Sequence, residues 1–386
     1  MNVRLKPLKN LLKKLPVFTG SSPCLDKPSP RRYALFKVFY VWRGSPPLAS
    51  ISLEQETSAQ NGLRPVNLKT DLAQLADLIE LAFADTMDSS GRAAIREMRS
   101  LSRIGIGLNM LSGMNDMVSG IGMGFVWVEN QRLIGNVSIY PANLPRQYGQ
   151  GYIIANVAVH PEYRGRGIAR ALMNTSIQQI RKAAERARRR PLVLLQVESD
   201  NAVARGLYQS LNFIEDGTWV HYRRNPSSRP PHRIENPPYI TRRRRGEWLA
   251  EYQLARRLRS DWNGMGWLRP LHAGLFNRSI WGVISDFINL RSQERLIIRS
   301  QDEREVQAAL WIENAVAGSA RNLTLTCAPE YTGLFDDALI NLAVRRFGSR
   351  SPLTIDHPDT ELVTAAVLAQ YQFTVIRKLT HMRWMG

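Results

Sequence analysis

Apolar and polar positions along this chain fall into two rhythms, and the switches between them mark its elements. Leu72, Leu75, Ala76, Ile79 and Ala82-Phe83 recur at helical spacing behind Asp71, a residue suited to a helix start. Residues 64–68 ahead of them read as a short strand, and a second helical stretch is expected over residues 91–112. Residues 122–129 and 132–140 then alternate with period two, and Asn130-Gln131 between them suits a tight hairpin. Ile153, Ile154, Val157 and Val159 form a β-branched run that ends at Pro161. After a glycine-containing turn, Ile168, Leu172, Ile180, Ala184 and Ala187 restore the helical period. Arg186, Arg188, Arg189 and Arg190 close that helix, where cations favour the C-terminal dipole, and Pro191 stops it. Residues 191–199 read as a buried strand and residues 200–213 as a following helix.

The junction at residues 157–174 carries chemistry. A strand, a basic glycine loop and a helix start together make an anion site: glycines let backbone approach, successive N–H groups converge, and the helix end adds about half a positive charge. Arg164 and Arg166 offer charge-assisted hydrogen bonds. No Gly-Lys-Ser/Thr follows, so this is not a Walker loop, and Arg170 stands where the dinucleotide fingerprint needs its last glycine.

Arg164-x-x-Gly167-x-Ala169, behind Val-Ala-Val-His-Pro-Glu-Tyr at residues 157–163, resembles the pyrophosphate loop and fourth strand of the GNAT superfamily of acetyl-CoA-dependent acyltransferases. Residues 200–213, with Asn201, Ala204, Leu207, Tyr208 and Phe213, resemble that family's Asn-x-x-Ala-x-x-Leu-Tyr-x-x-x-Gly-Phe helix, with Asn212 in place of glycine. Asparagine tolerates a left-handed helix terminus, so the turn is expected to survive. The resemblance covers residues 61–224 and implies an α/β (α+β) fold: a mixed, mostly antiparallel sheet, flanking helices, and parallel strands four and five that splay around the pantetheine arm of coenzyme A. It implies that the backbone of Val157, Ala158 and Val159 bonds that arm, and that Arg164, Gly165, Arg166, Gly167, Ile168 and Ala169 hold the pyrophosphate. Asn201 is carried over as a contact to the pantetheine or a ligand water, and Tyr208 as the acid that protonates the leaving thiolate. The residues themselves leave alternatives: Asn201 as a plain N-cap, Tyr208 as core, and His160 as structural. Many family members place a basic carboxylate on the fourth strand. Residues 152–156 offer none, which leaves Tyr152 or Asn156 to order a water, with Glu97, Glu129 and Glu198 as unplaced candidates.

The chain repeats itself. Pro329-Glu-Tyr-Thr-Gly333 echoes Pro161-Glu-Tyr-Arg-Gly165 at an offset of 168, Ala338-Leu339 echoes Ala171-Leu172 at 167, and Phe373 and His381 echo Phe213 and His221 at 160. Residues 271–386 therefore read as a second GNAT-like unit. Thr332 replaces Arg164, and Leu334, Phe335, Asp336 and Asp337 replace the second glycine and its basic neighbours. Two aspartates at a helix start repel a phosphate, and an offset of 160 puts Leu368 at the place of Tyr208. This unit is expected to be degenerate, serving as scaffold or helping to form the acceptor cleft.

Charge and composition then bound the rest. The formal charge of +19 sits mostly in residues 1–50, with ten Lys/Arg against Asp26, and residues 221–260, with eleven Arg against Glu235, Glu247 and Glu251. These segments read either as solvated flexible chain or as a non-specific footprint for nucleic acid or anionic lipid. The chain is thus expected to comprise a basic, poorly ordered extension (1–60), a catalytic unit (61–224), an Arg/Pro-rich linker with a helix (225–270) and the degenerate unit (271–386). Cys24 and Cys327 exclude a disulfide framework and fit a reducing cytoplasm, with peripheral membrane contact of the N-terminal segment left open. The scattered histidines suggest no metal site. The expected function is N-acetyl transfer from acetyl-CoA to an amine, on a small molecule or a protein, by a monomer. The other reading is a non-catalytic acyl-CoA sensor docked through its basic segments.

Overall fold

A computed structural model describes residues 61–84, 87, 89–104, 123–142, 144–262, 264–266, 268–277, 292–314 and 320–386. The basic extension over 1–60 and the part of the second helical stretch beyond residue 104 lie outside the described residues.

The first unit contains strands β1 (Gly62–Pro65), β2 (Phe125–Glu129), β3 (Arg132–Ala142), β4 (Gln150–Val159), β5 (Pro191–Glu198) and β6 (Ile214–Arg224). Its helices are α1 (Leu72–Ala82), α2 (Ser89–Ile104), α3 (Ile168–Arg186) and α4 (Ala202–Ser210). The second contains β7 (Ile240–Arg242), β8 (Ser292–Arg299), β9 (Val306–Asn314), β10 (Arg321–Cys327), β11 (Leu353–Pro358) and β12 (Thr374–Met385), with α5 (Trp248–Leu258), α6 (Phe335–Phe347) and α7 (Leu362–Gln370). β7 and α5 fall within the stretch read as a linker: β7 pairs with β8, and Leu254 of α5 packs with Ile297 and Ala309 of β8 and β9.

All twelve strands form one sheet in the order β1-β2-β3-β4-β5-β12-β6-β11-β10-β9-β8-β7. The last strand of each unit is exchanged: β12 pairs with β5, β6 pairs with β11, and β12 and β6 pair with each other at the centre. The order reads the same from either end if β7–β12 are taken as repeats of β1–β6. A perpendicular pseudo-twofold axis therefore passes between β6 and β12. Nothing in residues 191–224 or 353–385 taken alone marks this exchange, because each strand would satisfy its ladder equally well on its own unit.

Local chemistry explains the details. Asn130 and Gln131 both take positive φ, as a two-residue hairpin turn requires, and Asn212 and its repeat Gln372 do so at the ends of α4 and α7 (φ 64° and 63°). Asp71 precedes α1 without capping it through its side chain; its carboxylate instead takes both guanidinium nitrogens of Arg64 (2.6 and 2.8 Å) and the Asn67 N–H. Two cores flank the first unit's sheet. Ile134, Val137, Ile139, Tyr152, Ile154, Val193, Leu195 and Val197 pack with α3, whereas Val126, Val128, Leu133 and Ala158 pack with α1 and α2.

Much of the basic segment 221–260 is spent internally. Arg224 is buried and donates to the carbonyls of Tyr371 and Gly348, Arg243 pairs with the fully buried Glu251, Arg259 pairs with Glu361, and Arg242 pairs with Glu294. Among the described residues no helix is long and apolar enough to cross a membrane, and no cluster of His, Cys, Asp or Glu could hold a metal ion.

Candidate active site

Parallel β4 and β5 pair only from Gln150↔Pro191 to Ile153↔Leu194. Beyond that point they part, and the rest of β4 keeps its ladder to β3 alone. A bulge lies where they separate: Ala155 opposes Ser138 and Ala158 opposes Asn136, with Asn156 at φ 52° between them. The His160 N–H bonds Ile134 O on β3. Alternate N–H groups of a strand face opposite edges, so those of Val159 and Val157 face the gap toward β5.

A single 3₁₀ turn, Pro161–Tyr163, leads from β4 into the glycine loop at the mouth of this gap. Gly165 and Gly167 take φ of 77° and 80°, a region that costs an L-residue about 1–2 kcal/mol. A Cβ at either position would meet nothing within 4 Å, so the loop faces open space. The α3 ladder begins with the Ala171 N–H on Gly167 O, leaving the N–H groups from Gly165 to Arg170 ahead of it. Arg164 Nε donates to Val159 O (3.2 Å), which folds the guanidinium over the gap. The Arg166 side chain already has partners. It grips the Glu129 carboxylate at the end of β2 with both nitrogens (3.2 and 2.8 Å) and lies over the Tyr163 ring. Glu129 is thereby placed as its partner.

Val157, Val159, Ile168 and Tyr208 meet in one core on the α3 side of the sheet. Ala158 turns to the other face, and Ala169 is half-buried at the helix start. Tyr208 is buried beside Phe213, its hydroxyl has no partner among the described residues, and burial pushes its pKa up to about 12. It therefore holds its proton throughout the neutral range. Asn201 caps α4 with Oδ1 on the Ala204 N–H (3.0 Å), which leaves its Nδ2 for any ligand. His160 is buried, 2.8 Å from Arg132 Nη2, in a structural setting.

Of the two water-ordering candidates, Tyr152 packs on the α3 side, away from α1 and α2, and is ruled out as a group facing that side. Asn156 does face it. Its Nδ2 reaches Ser138 Oγ (3.3 Å) and Tyr140 Oη (3.4 Å), Asn136 Nδ2 donates to Asn156 O (2.8 Å), and the buried Asn136 Oδ1 has no partner. Sequence reading missed this polar group because Asn136, Ser138 and Tyr140 look like ordinary period-two strand positions; the bulge gathers them.

The second unit repeats the geometry with its spaces filled. β10 and β11 pair from Arg321↔Leu353 to Leu323↔Ile355 and then part. In that gap Arg259 Nη2 donates to Leu325 O (3.1 Å) and to Glu361 (3.2 Å), and Glu361 lies 2.8 Å from His357 Nε2. Burial raises the Glu361 carboxyl, but His357 and Arg259 outweigh it and hold it below the ordinary range. At the loop, the fully buried Asp336 accepts from the Gly333 N–H (2.6 Å), the Asp337 N–H (2.9 Å) and Thr364 Oγ1 (2.8 Å).

This sheet, with its splayed parallel pair and a glycine loop feeding a helix, defines a GNAT-type acyltransferase fold. Residues 115–213 match the Acetyltransferase (GNAT) family. A GCN5-related N-acetyltransferase from Sphaerobacter thermophilus superposes with a TM-score of 0.53 at 16% identity, covering 84% of this chain and 95% of that one. A tandem GNAT protein from the clavulanic acid biosynthesis pathway gives 0.47 at 13% identity, over 84% and 98%. No curated protein matches this chain in sequence.

Proposed function

We propose that the first unit transfers an acyl group, acetyl by preference, from coenzyme A to an amine by direct attack in a ternary complex. The observation that carries this reading is the conjunction of an open, left-handed glycine loop with a strand gap whose free edge points N–H groups inward. The loop N–H groups from Gly165 to Ala169 receive the diphosphate, helped by the α3 dipole. The N–H groups of Val157 and Val159 bond the pantetheine arm and polarise the thioester carbonyl. As the C–S bond breaks, the neutral Tyr208 gives the thiolate its proton. The second unit supplies no coenzyme site, since Asp336 and Arg259 already satisfy the backbone groups a ligand would use. Most of the rate enhancement then comes from positioning.

Titration calorimetry with acetyl-CoA, followed by thiol release across a panel of primary amines, tests the reading. One site per chain and amine-dependent thiol release are expected. Absence of binding, or binding without release for any amine, overturns it.

A further inference from the structure

The acceptor amine reaches neutral water as an ammonium and must lose a proton before it attacks, and β4 carries no carboxylate. Glu198 is the last residue of β5, four positions beyond the final β4–β5 pair. Val193, Leu195 and Val197 point to the α3 core, so the strand alternation turns Glu198 to the opposite face, the one that holds α1, α2 and the Asn136–Asn156 polar group. Its carboxylate is half-buried and takes part in no hydrogen bond or ion pair among the described residues. Burial raises its pKa, Arg377 opposes this, and Asp200 adds to it.

Resting on the transferase reading above, we propose that Glu198 takes the proton from the acceptor ammonium and that Arg377, supplied by the second unit's exchanged strand β12, sets the pH at which it can. Glu198 is opposed by Leu379, which brings Arg377 close from the same strand. The proton passes from R–NH3+ to the carboxylate, the free amine attacks the thioester carbon, and the N–C bond forms as the C–S bond breaks. The attacking nitrogen sheds its second proton to solvent, the thiolate takes the Tyr208 proton, the phenolate is reprotonated from solvent, and Glu198 then returns its own proton to water. The His221–Asp356 pair (2.7 Å) lies on β6 and β11, two and three strands from β5; His221 is the register partner of Arg377, whose charge therefore acts on both Asp356 and Glu198. Lys378 and Arg205 complete the surrounding charges, Arg205 being held by Glu215 and Ser199 O.

The test compares Glu198→Gln, Arg377→Gln and His221→Asn with the full-length wild type, using pH profiles of thiol release and acetyl-CoA calorimetry. Glu198→Gln is expected to lower kcat about 100-fold with coenzyme affinity unchanged, and to abolish the acidic limb of the profile. Arg377→Gln is expected to move that limb upward by about half to one pH unit, a displacement that mere loss of packing does not produce. Full kcat in Glu198→Gln, or loss of the acidic limb in His221→Asn instead, overturns the proposal while leaving the transferase reading intact. A wild type that binds acetyl-CoA but acylates no amine overturns both.

Discussion

At Gly165 and Gly167 the first unit presents a left-handed loop to open space; at the equivalent place in the second unit the Asp336 carboxylate fills the loop from within. Beside β4 the exposed Arg164 donates to Val159 O, whereas at the repeat the buried Arg259 donates to Leu325 O and pairs with Glu361. Strand order, turn and helix are the same in both. The second unit meets its loop N–H groups and a gap carbonyl with its own carboxylate and guanidinium. The Asp336 contacts and the Arg259–Glu361–His357 chain anchor the second half of a continuous sheet.

The contrast is broken most directly at the glycines. Gly167→Asp, together with Gly165→Val, is expected to weaken acetyl-CoA binding about 1,000-fold by combining left-handed strain, steric cover and charge repulsion, with calorimetry as the measure. Gly333→Val, the mate of Gly165, is expected to leave affinity unchanged. Next in size, Asp336→Ala leaves two N–H groups and the Thr364 hydroxyl without their acceptor, and is expected to cost about 3 kcal/mol of stability in denaturant melts. It should not create a second coenzyme site, because Arg259 still blocks the gap.

Tyr208→Phe is expected to lower kcat about 100-fold with affinity retained, while Leu368→Met at the mirror position changes neither. The smallest effect sharpens the comparison at the seam. His381, mate of His221, is buried against Trp219, and burial lowers its pKa from 6.5 to about 4. The unfolded chain takes up a proton near pH 6.5 that the folded state refuses until about pH 4. Its stabilising share is therefore complete above pH 6.5 and falls with pH across that window, by about 2 kcal/mol between pH 7 and 5. His381→Gln should flatten the stability–pH slope there. The Asp356 carboxyl behaves otherwise: burial opposes its charge, but His221, Arg377 and Arg269 outweigh it and hold it below the ordinary carboxylate range, so its share is present above the unfolded-state value and is lost as pH falls through the folded-state one.

Much of this was legible in the chain. Gly165 and Gly167 stood out because only glycine sits easily at the positive φ that both take, and the aspartate at 336 stood out at the repeat, where it fills the loop. The 160–168 offsets exposed the repeat because its turn and core residues answer to local rules: hairpin asparagine, αL terminus, strand period. Other features depended on neighbours distant in sequence. Arg166 meeting Glu129, Asn201 meeting its own helix, and the bulge that turns Asn136, Ser138 and Asn156 toward one another are contact facts. Above all, the exchange of β6 and β12 could be decided only in the folded molecule, since an edge strand accepts any partner with matching register and buried face. Composition and period set what each segment is; which partner covers it, and so whether a cleft stays open or is filled, is settled by tertiary packing alone.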